Sequence, residues 1–283
     1  MSHEKLKRLK ADLERCRNDA DDLAPADYPS NRALVAQRVG GAPSIHGTAM
    51  RFLDRIWGEQ ALLSRQAIGR DPLKHQHCFD THDAVYASVG VLHPGREVAL
   101  AFSPRIETDS SLRVEASPWD TGMFYLHAAP RLGLESDGEC RRVFLEHTLP
   151  APLYREYLID YVATCFDCGD DYLRAMPYWH EDPMRVMGTL PKEALLRVFE
   201  LRVFSRLPID LSRVEAVFLP SAKSLTGLQK RDMLPRLRRA GVAVEYYGRG
   251  TGGRREANPI PDDLRTYVMD WVCRRNRTGR PVT

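Results

Sequence analysis

Long hydrophobic runs are missing from this sequence. Nowhere do about 18 apolar residues follow one another, which is the length that a membrane-spanning helix needs. Residues 1–6 carry charges where a signal peptide has an apolar stretch. We therefore expect a cytoplasmic protein that makes no contact with a membrane.

The sequence also lacks a strong excess of one charge. Its 41 lysines and arginines are balanced by 38 acidic residues, so the net charge of the 283-residue chain is only +3. A dedicated nucleic-acid binder presents a larger positive field than this. The densest basic region, between Arg231 and Arg277, is typical of a solvated face, and phosphate binding there stays open.

Cysteine is scarce, and its six positions are dispersed along the chain. This excludes a small secreted disulfide scaffold and favours reduced thiols. Two groups of residues have spacings that zinc sites use, namely His75, His77, Cys78 and His82, and the pair Cys165 and Cys168. The second pair lies in a helical pattern, where free cysteines act as small core residues. We therefore assign no metal ligand among the site residues, and metal binding by either group stays open. Cys78 with His82 as a nucleophile pair lacks an identifiable orienting group.

The N-terminal segment has a narrow apolar stripe of leucines at helical spacing, Leu6, Leu9 and Leu13. The pattern predicts a helix that either docks on the body of the protein or self-associates with a second copy. Prolines at 25 and 29 then end it. We predict an amphipathic helix and linker over residues 1–30, followed by one domain over 31–283 with a helical insertion near 150–190.

The remaining chain alternates between strand and helix patterns, and its 43% hydrophobic content supports a large core. Strands are predicted over Asp83–Val91, Glu97–Phe102, Leu112–Ala116, Val198–Phe204, Val214–Leu219 and Val242–Tyr247. Helices are predicted over Pro152–Met176, Leu225–Ala240 and Pro261–Arg275. The turn signal His93-Pro94-Gly95 favours a hairpin between the first two strands. The fold class is α+β, with a split mixed or antiparallel β core around a ligand cleft and inserted and flanking helices.

One short motif points to a ligand site. His46 stands at the end of an extended segment, and Gly47 has no side chain, so a flat ligand can approach the backbone closely. Thr48 follows, and a helical pattern begins two residues later.

Together with Tyr86 and Glu200 on later strands, this motif resembles the ADP-ribosyltransferase fold family in its His-Tyr-Glu branch. The resemblance implies that His46, Gly47 and Thr48 form an NAD site with Tyr86, whose ring stacks on the nicotinamide. It implies that Glu200 is the catalytic residue.

The chemistry agrees with these residue types. Breaking the bond between ribose and nicotinamide builds positive charge on the sugar, as in glycoside cleavage. A carboxylate such as that of Glu200 stabilises this charge, and an aromatic ring such as that of Tyr86 offers a flat apolar face. His46 would orient the ligand rather than transfer protons.

The function implied by the resemblance is an NAD-dependent ADP-ribosyltransferase of toxin or defence type that modifies a protein or a nucleic acid. Val198 stands where family members that modify arginine carry a second acidic residue, which disfavours arginine as the acceptor. Trp119 and Asp120, in a loop, are candidate residues on the acceptor side.

Two other functions stay open at this point. An RNA 2′-phosphotransferase on a related fold would need several arginines aimed at a phosphate. A non-enzymatic module that binds nucleic acid or protein would not turn over NAD.

Overall fold

The alternation of side chains along the central strands decides how the sheet is buried. The computed structural model describes residues 2–19, 28–93, 95–166, 169, 172–173, 199–248 and 261–278. Its strands are β1 (Ser44–Thr48), β2 (Ala61–Leu63), β3 (Ala84–Val89), β4 (Val98–Phe102), β5 (Val114–Ser117), β6 (Leu149–Pro150), β7 (Glu200–Phe204), β8 (Arg206–Pro208), β9 (Val214–Leu219) and β10 (Ala243–Tyr246).

The helices flank these strands and separate them along the chain. They are α1 (Ser2–Asp19), α2 (Tyr28–Val39), α3 (Leu53–Glu59), α4 (Lys74–Phe79), α5 (Thr121–Met123), α6 (Ala129–Arg131), α7 (Asp137–Glu146), α8 (Ala151–Cys165), α9 (Leu234–Arg239) and α10 (Pro261–Thr278). Short 3₁₀ or π turns precede or join several of them.

Eight of the strands form one mixed sheet in the order β10-β9-β4-β1-β3-β7-β5-β6. The β9–β10 pair is parallel, and the other neighbours are antiparallel. Strands β2 and β8 form a separate antiparallel pair. The predicted α+β class with a mixed sheet is therefore confirmed.

In β3, β7 and β5, residues that lie directly opposite one another share a face of the sheet. One face carries apolar cross-strand sets such as Ala87, Leu201 and Ala116, which lie in the main apolar cluster with side chains of α1, α2, α8 and α10. The other face carries polar side chains. The period-2 pattern of the sequence thus separates a core face from a polar face.

The sheet opens in its middle, beside β1. This strand pairs with β4 along all five of its residues but with β3 only at Ser44 and Ile45. Strands β1 and β3 therefore diverge after Ile45. The divergence creates the predicted cleft in the β core.

The predicted hairpin between β3 and β4 is wrong, because β1 lies between these two strands in the sheet. Residues 90–97 connect them, which is longer than the two to five residues typical of a hairpin loop. The connection therefore crosses over one strand position. The turn signal at 93–95 correctly predicted a break between two strands, but it carries no information on which strands pair.

Two predicted helices differ in extent. Helix α8 ends at Cys165 instead of continuing towards Met176, because Phe166 has extended backbone angles. The segment over 225–240 contains a π-helical turn, Gln229–Met233, before α9. Gly241 follows α9 with a φ of 74°, as expected for a helix stop.

Helix α1 docks on the body of the protein. The stripe of Leu6, Leu9 and Leu13 is buried in the main apolar cluster, and Lys10 forms ion pairs with Glu156 and Asp160 of α8. Because this stripe is covered by the same chain, it offers no apolar face for self-association. The division into residues 1–30 and 31–283 stays a prediction.

Shortening a side chain of this stripe is expected to destabilise the protein. Leu9 is 1% exposed, so Leu9→Ala removes buried methyl groups and leaves a cavity. We expect the free energy of unfolding to fall by about 2–5 kcal/mol, measured from urea unfolding curves. Lys7→Ala, at an exposed position of the same helix, is the control and should change it by less than about 0.5 kcal/mol. Equal effects of the two changes would show that α1 does not dock as described.

None of the helices in the described part of the chain combines the length and the apolar character needed to cross a membrane.

Candidate functional site

A cavity of about 420 Å³ lies at the opening between β1 and β3. Its volume is typical of a site for a small organic ligand. It brings together five predicted site residues, His46, Gly47, Tyr86, Asp120 and Glu200. These residues come from β1, β3, the loop before α5, and β7. Residues as far as 154 positions apart in the sequence therefore line the same cavity.

His46 fills the gap where the two strands separate. Its Nδ1–H donates to the backbone carbonyl oxygen of Tyr86 at 2.7 Å, which satisfies a backbone group that the ladder no longer pairs. Burial lowers the pKa of His46 to about 4. The imidazole is therefore neutral at pH 7, and with Nδ1 protonated, its Nε2 is a hydrogen-bond acceptor.

Gly47 is required by close packing. A Cβ at this position would lie 2.4 Å from Cγ of Arg96 and 2.7 Å from Cδ1 of Leu92, both in the loop after β3. Any side chain here would force the side chains of Arg96 and Leu92 to move. Because Gly47 has no side chain, it lines the cavity without filling it.

Tyr86 is held by its hydroxyl group. The phenol oxygen lies 2.9 Å from the carbonyl oxygen and 2.8 Å from the hydroxyl oxygen of Thr81, and it accepts a hydrogen bond from Nε2 of Gln76 at 3.3 Å. Burial, together with the nearby charge of Glu200, raises the pKa of Tyr86 to about 12. The side chain is therefore a fixed, neutral aromatic surface at the cavity wall.

Glu200 is the first residue of β7, between Ser88 of β3 and Ser117 of β5. It is 3% exposed, and its Oε1 accepts hydrogen bonds from the backbone N–H of Thr121, at 3.2 Å, and from the Thr121 hydroxyl. Its Oε2 makes no hydrogen bond to any residue that the structure describes. This oxygen is available to a ligand.

The pKa of Glu200 is raised well above its usual value, first by burial and then by the negative charge of Asp120. Arg202 opposes this shift. Arg202 is two residues further along the same face of β7 and is 1% exposed. Its guanidinium lies 4.6 Å from the ring centre of Phe144, and Nη2 donates to the hydroxyl of Thr148 at 3.2 Å.

Asp120 caps helix α5. Its Oδ1 accepts a hydrogen bond from the backbone N–H of Met123 at 2.8 Å, which orients the helix start that presents Thr121 to Glu200. Its Oδ2 lies 3.5 Å from Nε2 of His93. Asp120 thus contacts both the helix start that supports Glu200 and His93 in the loop after β3.

Two predicted site residues do not line the cavity. Trp119 is buried in a second apolar cluster, with its ring centre 4.6 Å from that of Phe124 and 4.5 Å from that of His147. Thr48 is also buried and takes part in β1 pairing opposite Val98. Trp119 therefore packs its loop against the second apolar cluster, and Thr48 takes part in the pairing of the last residue of β1 with β4.

The sequence reasoning missed several residues of the cavity wall. His93 was interpreted only as part of a turn, and Arg65, Arg96 and Gln76 were not considered. A histidine next to a Pro-Gly turn is a weak signal. Only the crossover of the chain from β3 to β4 brings it beside the cleft.

The histidines and the cysteine between residues 75 and 82 do not form one group of ligands. His75 lines the cavity, Cys78 donates its thiol to the carbonyl oxygen of Asp137 at 3.4 Å, and Nε2 of His82 donates to the carbonyl oxygen of Arg70 at 2.6 Å. Burial raises the pKa of Cys78 to about 11, so it stays a neutral thiol and not a nucleophile. In the part of the chain that the structure describes, no three His, Cys, Asp or Glu side chains could hold a metal ion. Cys168, and the side chain of Cys165, lie outside the described residues.

Comparisons with known proteins find only distant similarity. No protein-family model matches the sequence, and no curated protein matches it. Solved structures of DarT from Thermus sp. 2.9 are similar at 13% sequence identity and cover 73% of this chain. The complex with NAD+ has a TM-score of 0.41, and the match covers 98% of its chain. For the complex with ADP-ribosylated single-stranded DNA, the TM-score is 0.42 and the coverage is 94%. For the complex with carba-NAD+, the TM-score is 0.39 and the coverage is 95%.

Proposed function

We propose that this protein is an NAD-dependent ADP-ribosyltransferase. The observation that carries the proposal is that His46, Tyr86 and Glu200, from three different strands, line one cavity at the opening of the sheet. A neutral acceptor, a flat aromatic face and a buried carboxylate are the groups that cleavage of a ribose–nicotinamide bond requires.

Each residue has a distinct task in this reaction. The Tyr86 ring stacks on the nicotinamide, and Nε2 of His46 accepts a hydrogen bond from a ribose hydroxyl. Glu200, held through Oε1 by Thr121, directs Oε2 at the sugar, where positive charge develops as the bond to nicotinamide breaks. The electron pair of that bond leaves with neutral nicotinamide.

Glu200 must be ionised to stabilise this charge. Burial and Asp120 raise its pKa in the empty protein, so it is largely protonated there over a wider pH range than an ordinary glutamate. The positive nicotinamide ring of NAD favours the carboxylate and promotes loss of the proton. NAD binding and ionisation of Glu200 are therefore coupled.

Arg202 sets the pH range in which this carboxylate works. Replacing it with methionine removes the cation that opposes the raised pKa of Glu200, so that pKa rises further. Because the reaction needs the deprotonated acid, we expect the rising limb of kcat/KM for NAD cleavage to move to higher pH. Activity at neutral pH should fall and should recover at alkaline pH.

Thr148→Val is the matched control for Arg202→Met. It removes the 3.2 Å hydrogen bond to Arg202 without removing the charge, so the rising limb should stay in place. A loss of kcat/KM by the same factor at every pH in Arg202→Met would contradict the electrostatic role.

We propose a nucleic acid as the acceptor, because two arginines line the cavity and two others surround an aromatic ring. Arg65 and Arg96 line the cavity, and Arg65 donates to the carbonyl oxygen of Asp71 at 2.9 and 3.1 Å. Next to Asp71, the guanidinium of Arg70 lies 5.5 Å from the ring centre of Phe52, and that of Arg51 lies 4.9 Å from the same ring. Cations around an aromatic ring can contact phosphates and stack on bases.

Labelled NAD tests the function and the acceptor together. The protein is incubated with NAD labelled in the adenylate part and with single-stranded DNA, RNA or a protein mixture, and both released nicotinamide and labelled polymer are measured. Label on DNA or RNA supports the proposal, and label on protein alone would contradict the acceptor class. A lack of nicotinamide release with every acceptor would contradict the enzyme.

A further inference from the structure

The positive charge of the chain is concentrated in one helical segment outside the cavity. This segment consists of the π-helical turn Gln229–Met233 and of α9, Leu234–Arg239, which follow each other directly. None of its residues lines the cavity. Its eleven residues include five cations and one acid, a net charge of +4, whereas the whole chain carries only +3. The rest of the chain therefore has no positive excess.

The inner side of this segment is fixed on α3. Met233 is buried in the main apolar cluster. Nε2 of Gln229 donates to Oδ1 of Asp54 at 2.7 Å, and Nε1 of Trp57 donates to Oδ2 of Asp232 at 2.7 Å. Asp54 and Trp57 both lie on α3. These contacts determine which side of the segment faces solvent.

The single acid of the segment is used on the inner side. Besides its bond to Trp57, Asp232 forms an ion pair with Arg236, with 3.6 Å between Oδ2 and Nη1. The guanidinium of Arg236 lies 5.0 Å from the centre of the Trp57 ring, so this cation is also turned towards α3. The four remaining cations are all exposed, and we call them the basic face: Lys230, Arg231, Arg238 and Arg239.

The basic face has no counter-charge of its own. None of its four side chains forms an ion pair with a residue in the described ranges of the chain. Arg231 and Arg239 donate to backbone carbonyl oxygens one turn earlier, those of Gly227 at 3.3 Å and Pro235 at 3.4 Å. Arg231 and Arg238 are seven residues apart and so lie on the same side of the helix. Like charges gathered in this way repel one another, and an external polyanion relieves the repulsion.

Helix α3 also connects the basic face to the aromatic ring at the proposed acceptor contacts. The segment runs alongside α3 as far as Gln60, just after its end, whose Oε1 accepts from Nη2 of Arg236 at 3.3 Å. Phe52, with the guanidiniums of Arg51 and Arg70 over its ring, directly precedes α3. Packed helices lie about 8–10 Å apart. The basic face and the Phe52 ring are therefore on neighbouring elements, a separation that a strand of several nucleotides can span.

We propose that the basic face binds the sugar–phosphate backbone of the nucleic-acid acceptor, beyond the nucleotide that enters the cavity. This inference rests on the proposed function. Three of the four cations are arginines, whose guanidinium presents two parallel N–H donors to a phosphate. Contacts to the backbone carry no base specificity. The basic face thus holds the acceptor strand without selecting its sequence.

The composition of the segment disfavours a membrane as the partner. Helices that lie on a lipid surface bury a row of large apolar side chains in it. No large apolar side chain is exposed between residues 229 and 239, and Leu228, immediately before the segment, is the nearest in sequence. A face of this kind binds phosphates by charge, so its binding weakens steeply as salt rises.

Binding to a fluorescent single-stranded DNA or RNA of about 20 nucleotides, followed by anisotropy without NAD at several salt concentrations, tests the contact. Each phosphate contact on a single strand contributes about 0.7 to the slope of log K against log salt. Removing three arginines should therefore reduce the magnitude of the slope by about 2. The triple variant carries Arg231→Gln, Arg238→Gln and Arg239→Gln.

The matched control removes the same charge from another surface. Its three arginines are exposed on α1 and α7 and lie outside the cavity and the basic face. If the position of the charge matters and not the net charge of the chain, the control keeps the wild-type slope. The control variant carries Arg15→Gln, Arg141→Gln and Arg142→Gln.

The length of the acceptor gives a second readout. An oligonucleotide of about 4 nucleotides that occupies the cavity leaves the basic face empty, whereas one of about 20 nucleotides engages both. The wild-type KM for the acceptor should fall at least about tenfold from the short to the long oligonucleotide. In the triple variant this decrease should disappear, with kcat and the KM for NAD unchanged.

Thermal unfolding shows whether the triple variant is folded. If its melting temperature falls below that of the wild type, the single change Arg238→Glu at an exposed position replaces it. This change removes one phosphate contact, so the slope should fall by about 1 in magnitude.

The outcomes separate the basic face from the proposed function. Equal slopes in the wild type and the triple variant, with nicotinamide release intact, would overturn the basic face and leave the function standing. Vesicles containing phosphatidylserine and polyglutamate serve as other anionic probes, and binding of either through the basic face without binding of DNA or RNA would also overturn the inference. If the wild type releases no nicotinamide but binds DNA or RNA through these arginines, the nucleic-acid surface stands and the enzymatic function fails.

Discussion

Replacing Glu200 with glutamine is expected to lower the rate of NAD cleavage about 10²- to 10³-fold, the range for removing one electrostatic group from a transition state. Glutamine has nearly the same shape, and its carbonyl oxygen can accept both hydrogen bonds from Thr121. The variant therefore removes the charge and keeps the contacts. Nicotinamide release, measured by chromatography at saturating NAD, checks the expected loss.

The stability of the same variant gives an independent check. An acid whose pKa is raised on folding binds its proton more tightly in the folded state, so its contribution to stability is lost as pH rises through the folded pKa. Glutamine has no such dependence. The melting temperature of Glu200→Gln minus that of the wild type should therefore increase from mildly acidic to alkaline pH. A constant difference would show that the pKa of Glu200 is not raised.

Removing the ring of Tyr86 is the second large effect we expect. Stacking of an aromatic side chain on a base-like ring contributes about 1–3 kcal/mol, so Tyr86→Ala should raise KM for NAD about 10- to 100-fold. The reason is that the wall of the cavity loses its flat apolar surface. Initial rates over a range of NAD concentrations give KM.

Tyr86→Phe is the matched control, because it keeps the ring and removes only the hydroxyl. That hydroxyl is engaged by Thr81 and Gln76, and the proposed stacking uses only the ring, so KM should stay within about threefold of the wild-type value. The buried partners of the hydroxyl then lose a hydrogen bond. We expect stability to fall by about 1–3 kcal/mol. An equal rise of KM in both variants would contradict stacking.

Local patterns in the sequence were sufficient for most of the strands, whereas the helices α2 and α7 were not predicted. Alternation of apolar and polar residues predicted β9 with its bounds, Val214–Leu219, and placed β3, β4 and β5 within two residues at each end. The stripe of Leu6, Leu9 and Leu13 predicted α1. Short elements such as β2, β6 and β8 were missed, because two or three residues carry no periodic signal.

The partners of each strand were not predictable in the same way. The crossover from β3 to β4 depends on β1, which comes some 40 residues earlier, and a turn signal is local. The α5 contacts of Glu200 join residues 79 positions apart. Such contacts depend on which strand lies next to which, and no window of the sequence contains both partners.

The sequence by itself determined the fold class, the polar and apolar faces of the strands, and the residue types from which a reaction at a sugar could be hypothesised. Their meeting in one cavity was decided by the tertiary structure, because β1 pairs fully with β4 and only in part with β3. The structure alone also placed His93 beside Asp120, and Phe144 and Thr148 beside Arg202. The ionisation of buried groups depends on these neighbours, which only folding assembles.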